Sequence, residues 1–337
     1  MSYAGPDRKF RKVIDLANPS ALAALEKQGQ LLVVHGGGLL AFPLDDITKA
    51  MDIGVPVSNT ILKRLDNGDG AVSLLQVGIL NERIIICYSQ KGFRQQTIHT
   101  LEPVGGQLEM PLTPTPTAAV RTPVTYRRYG TPFFVPKDAS SLIVLKRTVT
   151  VAADHALVVV DPTAAPTERR VLTVPDFSAC GSGTADALSL LKNRAMNATP
   201  LGVVWASESE RLVLYNTFGT YVSKFGYPTR NRTYVRWETK VNSWALRGPH
   251  VLLFSFNGWI EVRHISTGKL VQVEEAPEVR MLQIAEPNNG ALLLAIRGKD
   301  DKEGLADRLV EMLETSPLDV LNSQGVSGDP QWGEWGI

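Results

Sequence analysis

Apolar residues in this chain come in short runs joined in pairs by turn residues. Residues 31–34 and 39–42 flank Gly36-Gly37-Gly38, and residues 72–80 and 83–88 flank Asn81-Glu82. The same arrangement recurs at 149–151 and 156–160 around Asp154-His155, and at 201–205 and 212–215 around Glu208-Ser209-Glu210. It recurs again at 251–254 and 259–263 around Asn257-Gly258, and at 281–284 and 291–296 around Pro287-Asn288-Asn289-Gly290. These runs are rich in Val, Ile, Leu and aromatic residues and are too short for helices, so each pair predicts a β-hairpin. Residues 20–28 also read as a capped helix, but they lead straight into the first hairpin and are assigned to a strand. Leu305, Leu309, Met312 and Leu313 stand at helical spacing among charged residues and predict a short C-terminal amphipathic helix.

Hairpin centres fall near residues 37, 81, 154, 209, 257 and 289. Most intervals approach the period of roughly 40–45 residues of a propeller blade. The two long gaps hold insertions. Residues 103–136 carry seven of the 21 prolines, which predicts an irregular loop, and residues 178–198 hold Gly181, Gly183 and polar residues. Residues 243–272 contain four short runs in succession and form the clearest blade, with four antiparallel strands. Six hairpins are visible and the N-terminal strands leave room for one more. The expectation is an all-β, seven-bladed β-propeller with four-stranded antiparallel blades and a short C-terminal helix. A strand at residues 13–16 would close it, since an open ring leaves unpaired edges. Paired β-sandwiches compete, but no convincing linker divides the sequence.

Composition narrows the function. Among 337 residues, 35 Lys and Arg balance 34 Asp and Glu, a net charge of +1. A non-specific nucleic-acid binder needs a clear cationic excess, so nucleic acid is excluded as a partner. No apolar run reaches the roughly 18 residues that span a bilayer. Met1 to Lys12 is charged and is no secretory signal, so the expected location is cytoplasmic. Cys87 and Cys180 are too few for a disulfide framework or a cysteine zinc site, and read as free thiols.

Catalytic and metal signatures fail in turn. Gly181-Ser182-Gly183 is no nucleophile elbow, and no phosphate-binding Gly-rich loop with Lys exists. Asp66-Asn67-Gly68-Asp69-Gly70 is coloured like a calcium loop, but Val77 stands at the twelfth position where Glu is needed, so a plain turn is expected. His35, His99, His155, His250 and His264 lack metal-ligand spacing. No cofactor is expected. Two cationic, aromatic clusters remain: Tyr126-Arg127-Arg128-Tyr129 and Tyr227 with Arg230 and Arg232. Arg and Tyr anchor protein interfaces by combining area with directed hydrogen bonds. The plainer alternative is solvated loop residues whose stems cover strand edges.

Several blocks resemble a known family. Residues 212–226 and Arg236-Trp237-Glu238 are similar to segments of the citron homology (CNH) domain, as is Leu246-Arg247-Gly248-Pro249-His250. Its most specific signature is matched by Ile260-Glu261-Val262-Arg263, then Thr267-Gly268, then Leu270-Val271-Gln272. Upstream, Phe133-Phe134-Val135-Pro136 is similar as well. Thr217 departs from the family's frequent acidic residue, and the 103–136 loop has no recognisable counterpart. The details look most like fungal Rho guanine-nucleotide exchange factors of the Rom type.

The resemblance implies a non-catalytic protein-interaction scaffold at residues 12–315, between tails at 1–11 and 316–337. It implies a Rho-family small GTPase as partner, cell-wall integrity signalling, recruitment to the cell cortex, and a monomeric fragment of a longer exchange factor. The alternatives are a platform packing only against neighbouring domains of the same exchange factor, or a propeller hydrolase. An exposed apolar patch would favour the platform, and ionisable residues converging at the channel mouth would favour the hydrolase.

Overall fold

A computed structural model describes residues 2–4, 10–12, 14–54, 57, 63–106, 108–109, 120–178, 185–230, 234–283, 292–297 and 307–312. The chain divides into two compact units, residues 1–154 with 160–171, and residues 155–159 with 172–337.

In the first unit, β1 (Ser2–Ala4) and β2 (Phe10–Lys12) pair with each other as an antiparallel ribbon. Blade one runs β3 (Ala21–Leu25), β4 (Gln30–His35), β5 (Gly38–Pro43) and β6 (Lys63–Arg64) in sheet order. Gly36 and Gly37 turn β4 into β5 with φ of 57° and 75°, the left-handed pair that a two-residue hairpin requires. Between β5 and β6 lies helix α1 (Leu44–Ile53), with Asp45 and Asp46 in its first turn facing the positive end of the dipole. Gly54 stops it at φ 77°, its N–H bonding the Ala50 carbonyl at 2.9 Å.

Blade two has five strands. β7 (Ala71–Leu80), β8 (Arg83–Lys91) and β9 (Gln95–Val104) form a meander. A small pair, β10 (Leu108–Glu109) with β11 (Val120–Arg121), follows it. Then β12 (Thr125–Arg128) pairs with residues 101–104 of β9, and β13 (Phe133–Pro136) with residues 95–98. Blade three comprises β14 (Ser141–Val144), β15 (Val149–Ala153), β16 (Ala156–Val160) and β17 (Val171–Val174), its residues shared between the two units.

The second unit continues with helix α2 (Ala185–Met196), which buries Leu191 and Ala195. Blade four is β18 (Pro200–Trp205), β19 (Glu210–Tyr215), β20 (Phe218–Ser223) and β21 (Val235–Arg236). Blade five is β22 (Val241–Arg247), β23 (His250–Ser255), β24 (Trp259–His264) and β25 (Leu270–Glu275), and blade six is β26 (Arg280–Gln283), β27 (Leu292–Arg297) and β28 (Asp307–Met312).

Side chains alternating along a middle strand feed two different cores. Val251 and Leu253 of β23 pack with Leu212, Leu214 and Trp237. Leu252 and Phe254 pack on the other face with Ile260, Leu292 and Leu294. A strand covered on both faces reads as an unbroken apolar run, because neither parity of position meets water.

The strands of all six predicted pairs and the four-stranded blade at 243–272 form, though residues 284–291, with the turn of the last pair, lie outside the described residues, and residues 21–25 are a strand. The blade count is corrected: the described residues form six blades, not seven. The long interval between residues 81 and 154 holds extra strands of blade two rather than a further blade, and among the described residues the earliest strands pair with each other and with no blade. Of the expected closing strand, Val13 lies outside the described residues and Ile14 makes a parallel bridge to Val57. The predicted C-terminal helix is also corrected. Residues 307–312 form β28 along β27, with Val310 and Met312 turned toward the core and Leu309 exposed. Leu305 and Leu313, which completed the helical spacing, lie outside the described residues. At 125–128 and 133–136, the segment read as irregular loop supplies β12 and β13, whereas residues 110–119 are outside the described residues.

Candidate protein-interaction surface

The first Arg/Tyr cluster sits on β12. Pairing with β9 places Arg127 directly across from Glu102. Arg127 Nε meets Glu102 Oε2 at 2.6 Å, and Arg83 Nη1 meets Oε1 at 3.0 Å. The Arg127 hydrogen bond, reinforced by Arg83, holds the Glu102 carboxyl below its ordinary value. Tyr126 is half-buried against the core of blades one and two, and burial pushes its phenol up to about 12. Lys63 Nζ lies 5.3 Å from the centre of its ring. Tyr129 is tied down as well: its phenol oxygen accepts from Asn81 Nδ2 at 3.0 Å and its backbone N–H donates to Thr100 at 2.9 Å. Arg128 is exposed, and no carboxylate among the described residues pairs with it.

The second cluster lies in the second unit, after β20. Tyr227 is exposed, and its carbonyl accepts from the Ser223 N–H at 2.8 Å. Arg230 is a strut. Its Nη2 meets Glu210 Oε2 at 2.6 Å and donates to the Ser266 carbonyl at 2.7 Å, with the guanidinium 3.3 Å from the centre of the Tyr221 ring. Arg230 holds the Glu210 carboxyl below its ordinary value, and Thr229 adds a hydroxyl bond at 2.5 Å. Arg232 lies outside the described residues. Within each cluster, therefore, one arginine is engaged by a carboxylate from another element, Arg127 by Glu102 and Arg230 by Glu210, while Arg128 and Tyr227 are exposed.

Two of the blocks that carry the family resemblance meet inside the second unit. Trp237 is buried, and its indole N–H donates to the Tyr215 carbonyl at 2.8 Å. Its ring centre lies 5.1 Å from the Arg263 guanidinium. Arg263 is buried against Glu261 at 2.8 Å, reaches Glu238 at 3.6 Å and donates to the Gly268 carbonyl at 3.1 Å. Glu261 in turn accepts from the Thr239 N–H at 2.9 Å. Gly219 leaves room for the indole, since a Cβ there would lie 2.6 Å from Trp237 Cη2. Apart from the exposed Glu238, these signature residues form one buried network that fixes the segment after β21.

That segment and α2 bound an open cavity of about 730 Å³, with Arg194, Tyr234, Arg236, Glu238 and Lys240 in its lining. The Arg194 guanidinium stacks 4.1 Å from the centre of the Tyr234 ring, and Nη2 donates to its hydroxyl at 3.1 Å. The sequence reading missed this groove because it expected only an insertion at 178–198. Leu188, Leu191 and Ala195, at helical spacing, are the signal that marks α2.

The acidic turn at 66–70 has a structural role. Asp66 accepts from the Leu39 and Gly68 N–H groups at 2.8 and 3.1 Å and from Arg64 at 2.8 Å. Among the described residues no three His, Cys, Asp or Glu side chains gather as a metal site, and no helix is long and apolar enough to cross a membrane. Burial pushes the Cys87 thiol well above its ordinary range, while Cys180 lies outside the described residues.

Six antiparallel sheets of consecutive strands, with a buried signature network in the second unit, are those of a β-propeller. The chain belongs to the CNH domain family, whose family model matches residues 1–285, and is a non-catalytic propeller domain. It is 22% identical over 275 residues to Rho1 guanine nucleotide exchange factor 1 of Schizosaccharomyces pombe, covering 80% of this chain and 19% of that protein. It is 22% identical over 272 residues to Rho1 guanine nucleotide exchange factor 2 of the same yeast, covering 80% of this chain and 21% of that protein. The chain therefore spans about a fifth of the length of these relatives. Among solved structures it is similar to the AfRom2 CNH domain, with a TM-score of 0.68 and 21% identity, over 93% of this chain and 86% of that one.

Proposed function

We propose that this chain is the CNH domain of a Rho-type guanine-nucleotide exchange factor and binds a Rho-family small GTPase directly, without accelerating exchange. Its homology to Rho1 exchange factors carries the reading. In this reading it acts at the cell cortex in cell-wall integrity signalling. The contact set is drawn from the two clusters. Arg128 and Tyr227 touch the partner, Arg127 holds the strand that presents Arg128, Arg230 holds the loop that presents Tyr227, Tyr126 and Tyr129 support β12, and Arg232, outside the described residues, is kept in the contact set from the sequence. Cationic and aromatic groups complement a partly acidic GTPase surface, and with a net charge of +1 the attraction must be local.

Titration calorimetry with the GTPase loaded with GDP, loaded with a GTP analogue, or nucleotide-free tests this. Binding in at least one state is expected, with at least a tenfold loss in Arg128→Glu/Tyr227→Ala. Absence of binding in all three states removes the partner, and unchanged binding in the variant removes the surface.

A second reading, docking onto neighbouring domains of the same exchange factor, is favoured by β25. All six residues of this edge strand are exposed, among them Leu270, Val271 and Val273. Such an apolar edge suits a covering domain.

A further inference from the structure

The groove between α2 and the segment after β21 is built for an anionic guest. Three cations line it: Arg194, Arg236 and Lys240. Among the described residues no carboxylate pairs with any of them. The one carboxylate in the lining, Glu238, is exposed but reaches the buried Arg263 at 3.6 Å, so the groove keeps three cations to one anion. Arg194 is held in place before any ligand arrives, stacked on Tyr234 and bonded to its hydroxyl. A guanidinium fixed this way loses little freedom on binding, and its planar fork suits a carboxylate. Tyr234 is positioned in turn by its edge contact with the buried Phe218, ring centres 5.9 Å apart. Leu190 stands exposed at the rim, supplying an apolar foothold beside the charges.

We propose that this groove binds a short acidic peptide segment of a partner protein. Carboxylates bind Arg194, Arg236 and Lys240, and an apolar side chain covers Leu190. An open groove of about 730 Å³ is larger than a single carboxylate or phosphate needs. The apolar rim also favours a peptide over a bare anion. This site is separate from the Arg/Tyr clusters and does not depend on the GTPase reading.

The test is fluorescence anisotropy of the full 337-residue chain with a labelled nonapeptide of three Asp-Glu-Leu repeats. The control peptide carries three Asn-Gln-Leu repeats, and inorganic phosphate serves as competitor. The acidic peptide is expected to bind at least tenfold tighter than its amide counterpart. Arg236→Glu/Lys240→Glu, which changes two exposed side chains and so spares the fold, should weaken it at least tenfold. Arg194→Gln should weaken it as well, with far-UV circular dichroism unchanged. GTPase titration of the Arg236→Glu/Lys240→Glu variant should stay as in the wild type, which separates this site from the clusters. The proposal is overturned if the acidic peptide does not bind, if the amide peptide binds equally, or if the double variant keeps its affinity. Displacement by phosphate at concentrations comparable to the peptide's would overturn it in favour of a phosphate site.

Discussion

Replacing Arg263 by alanine would strand a carboxylate inside blade five. The Glu261 and Arg263 side chains are 1% and 6% exposed, and their closest ion-pair contact is 2.8 Å. Breaking a buried pair from one side typically costs about 3–5 kcal/mol, since the remaining charge is neither hydrated nor neutralised. Here Glu261 keeps two partners, the Thr239 N–H at 2.9 Å and its hydroxyl at 3.2 Å, so the lower end is expected, about 3 kcal/mol. The lost guanidinium also leaves the Gly268 carbonyl without its donor and Trp237 without its cationic neighbour. The double variant Glu261→Leu/Arg263→Met removes both charges and keeps the volume. It should be less destabilised than Arg263→Ala, about 1–2 kcal/mol, the residue of the cost being the Thr239 N–H and the Gly268 carbonyl left without their partners. Urea unfolding followed by tryptophan fluorescence measures both, read as a shift of midpoint at constant slope. A loss below about 1 kcal/mol in Arg263→Ala, or a double variant as damaged as the sum of its singles, would refute the argument that this pair is a coupled buried unit.

Gly219→Ala should cost about 1–3 kcal/mol by overpacking, because the new methyl would lie 2.6 Å from Trp237 Cη2 and 2.9 Å from Leu212 Cδ1; the same urea assay checks it. Stability should fall on acidification. Hydrogen bonds from Arg127 hold Glu102, and from Arg230 hold Glu210, below their ordinary values, so the folded chain binds fewer protons than the unfolded one. Their contribution is full above the unfolded carboxyl value, near about 4.3, and is lost as pH falls through the lower folded values. Thermal melts from pH 6 to pH 3 should show the loss, and Glu210→Gln should flatten the profile. In a Cys180→Ser background, Cys87 should resist thiol-labelling reagents until urea unfolds the chain, since it is fully buried with its thiolate disfavoured. Labelling at the rate of a free thiol under native conditions would contradict this.

The hairpins were legible because their determinants are local. Asn81-Glu82 and Asn257-Gly258 turn the chain between runs whose composition suits strands, and such signals need no distant partner. The block at 243–272 declared a whole blade for the same reason. Sequence also marked Arg236-Trp237-Glu238 and Ile260-Glu261-Val262-Arg263 as special, though not that they meet in one network.

What only the tertiary structure decided depends on non-local pairing. Residues 307–312 carry helical spacing, yet the edge of β27 offers a ladder that buries Val310 and Met312, and that pairing overrides the pattern. The strands at 125–128 and 133–136 exist because β9 is long enough to pair with both, which no local signal in a proline-rich stretch announces. The blade count followed, since those extra strands filled an interval that length alone could not apportion. The clusters tell the same story electrostatically. That Arg127 and Arg230 are engaged was settled by Glu102 and Glu210, each brought in from a different strand, and Arg128 has no such counter-charge among the described residues. Charge in a sequence is a property of residues, whereas available charge depends on which counter-charges the fold places within reach.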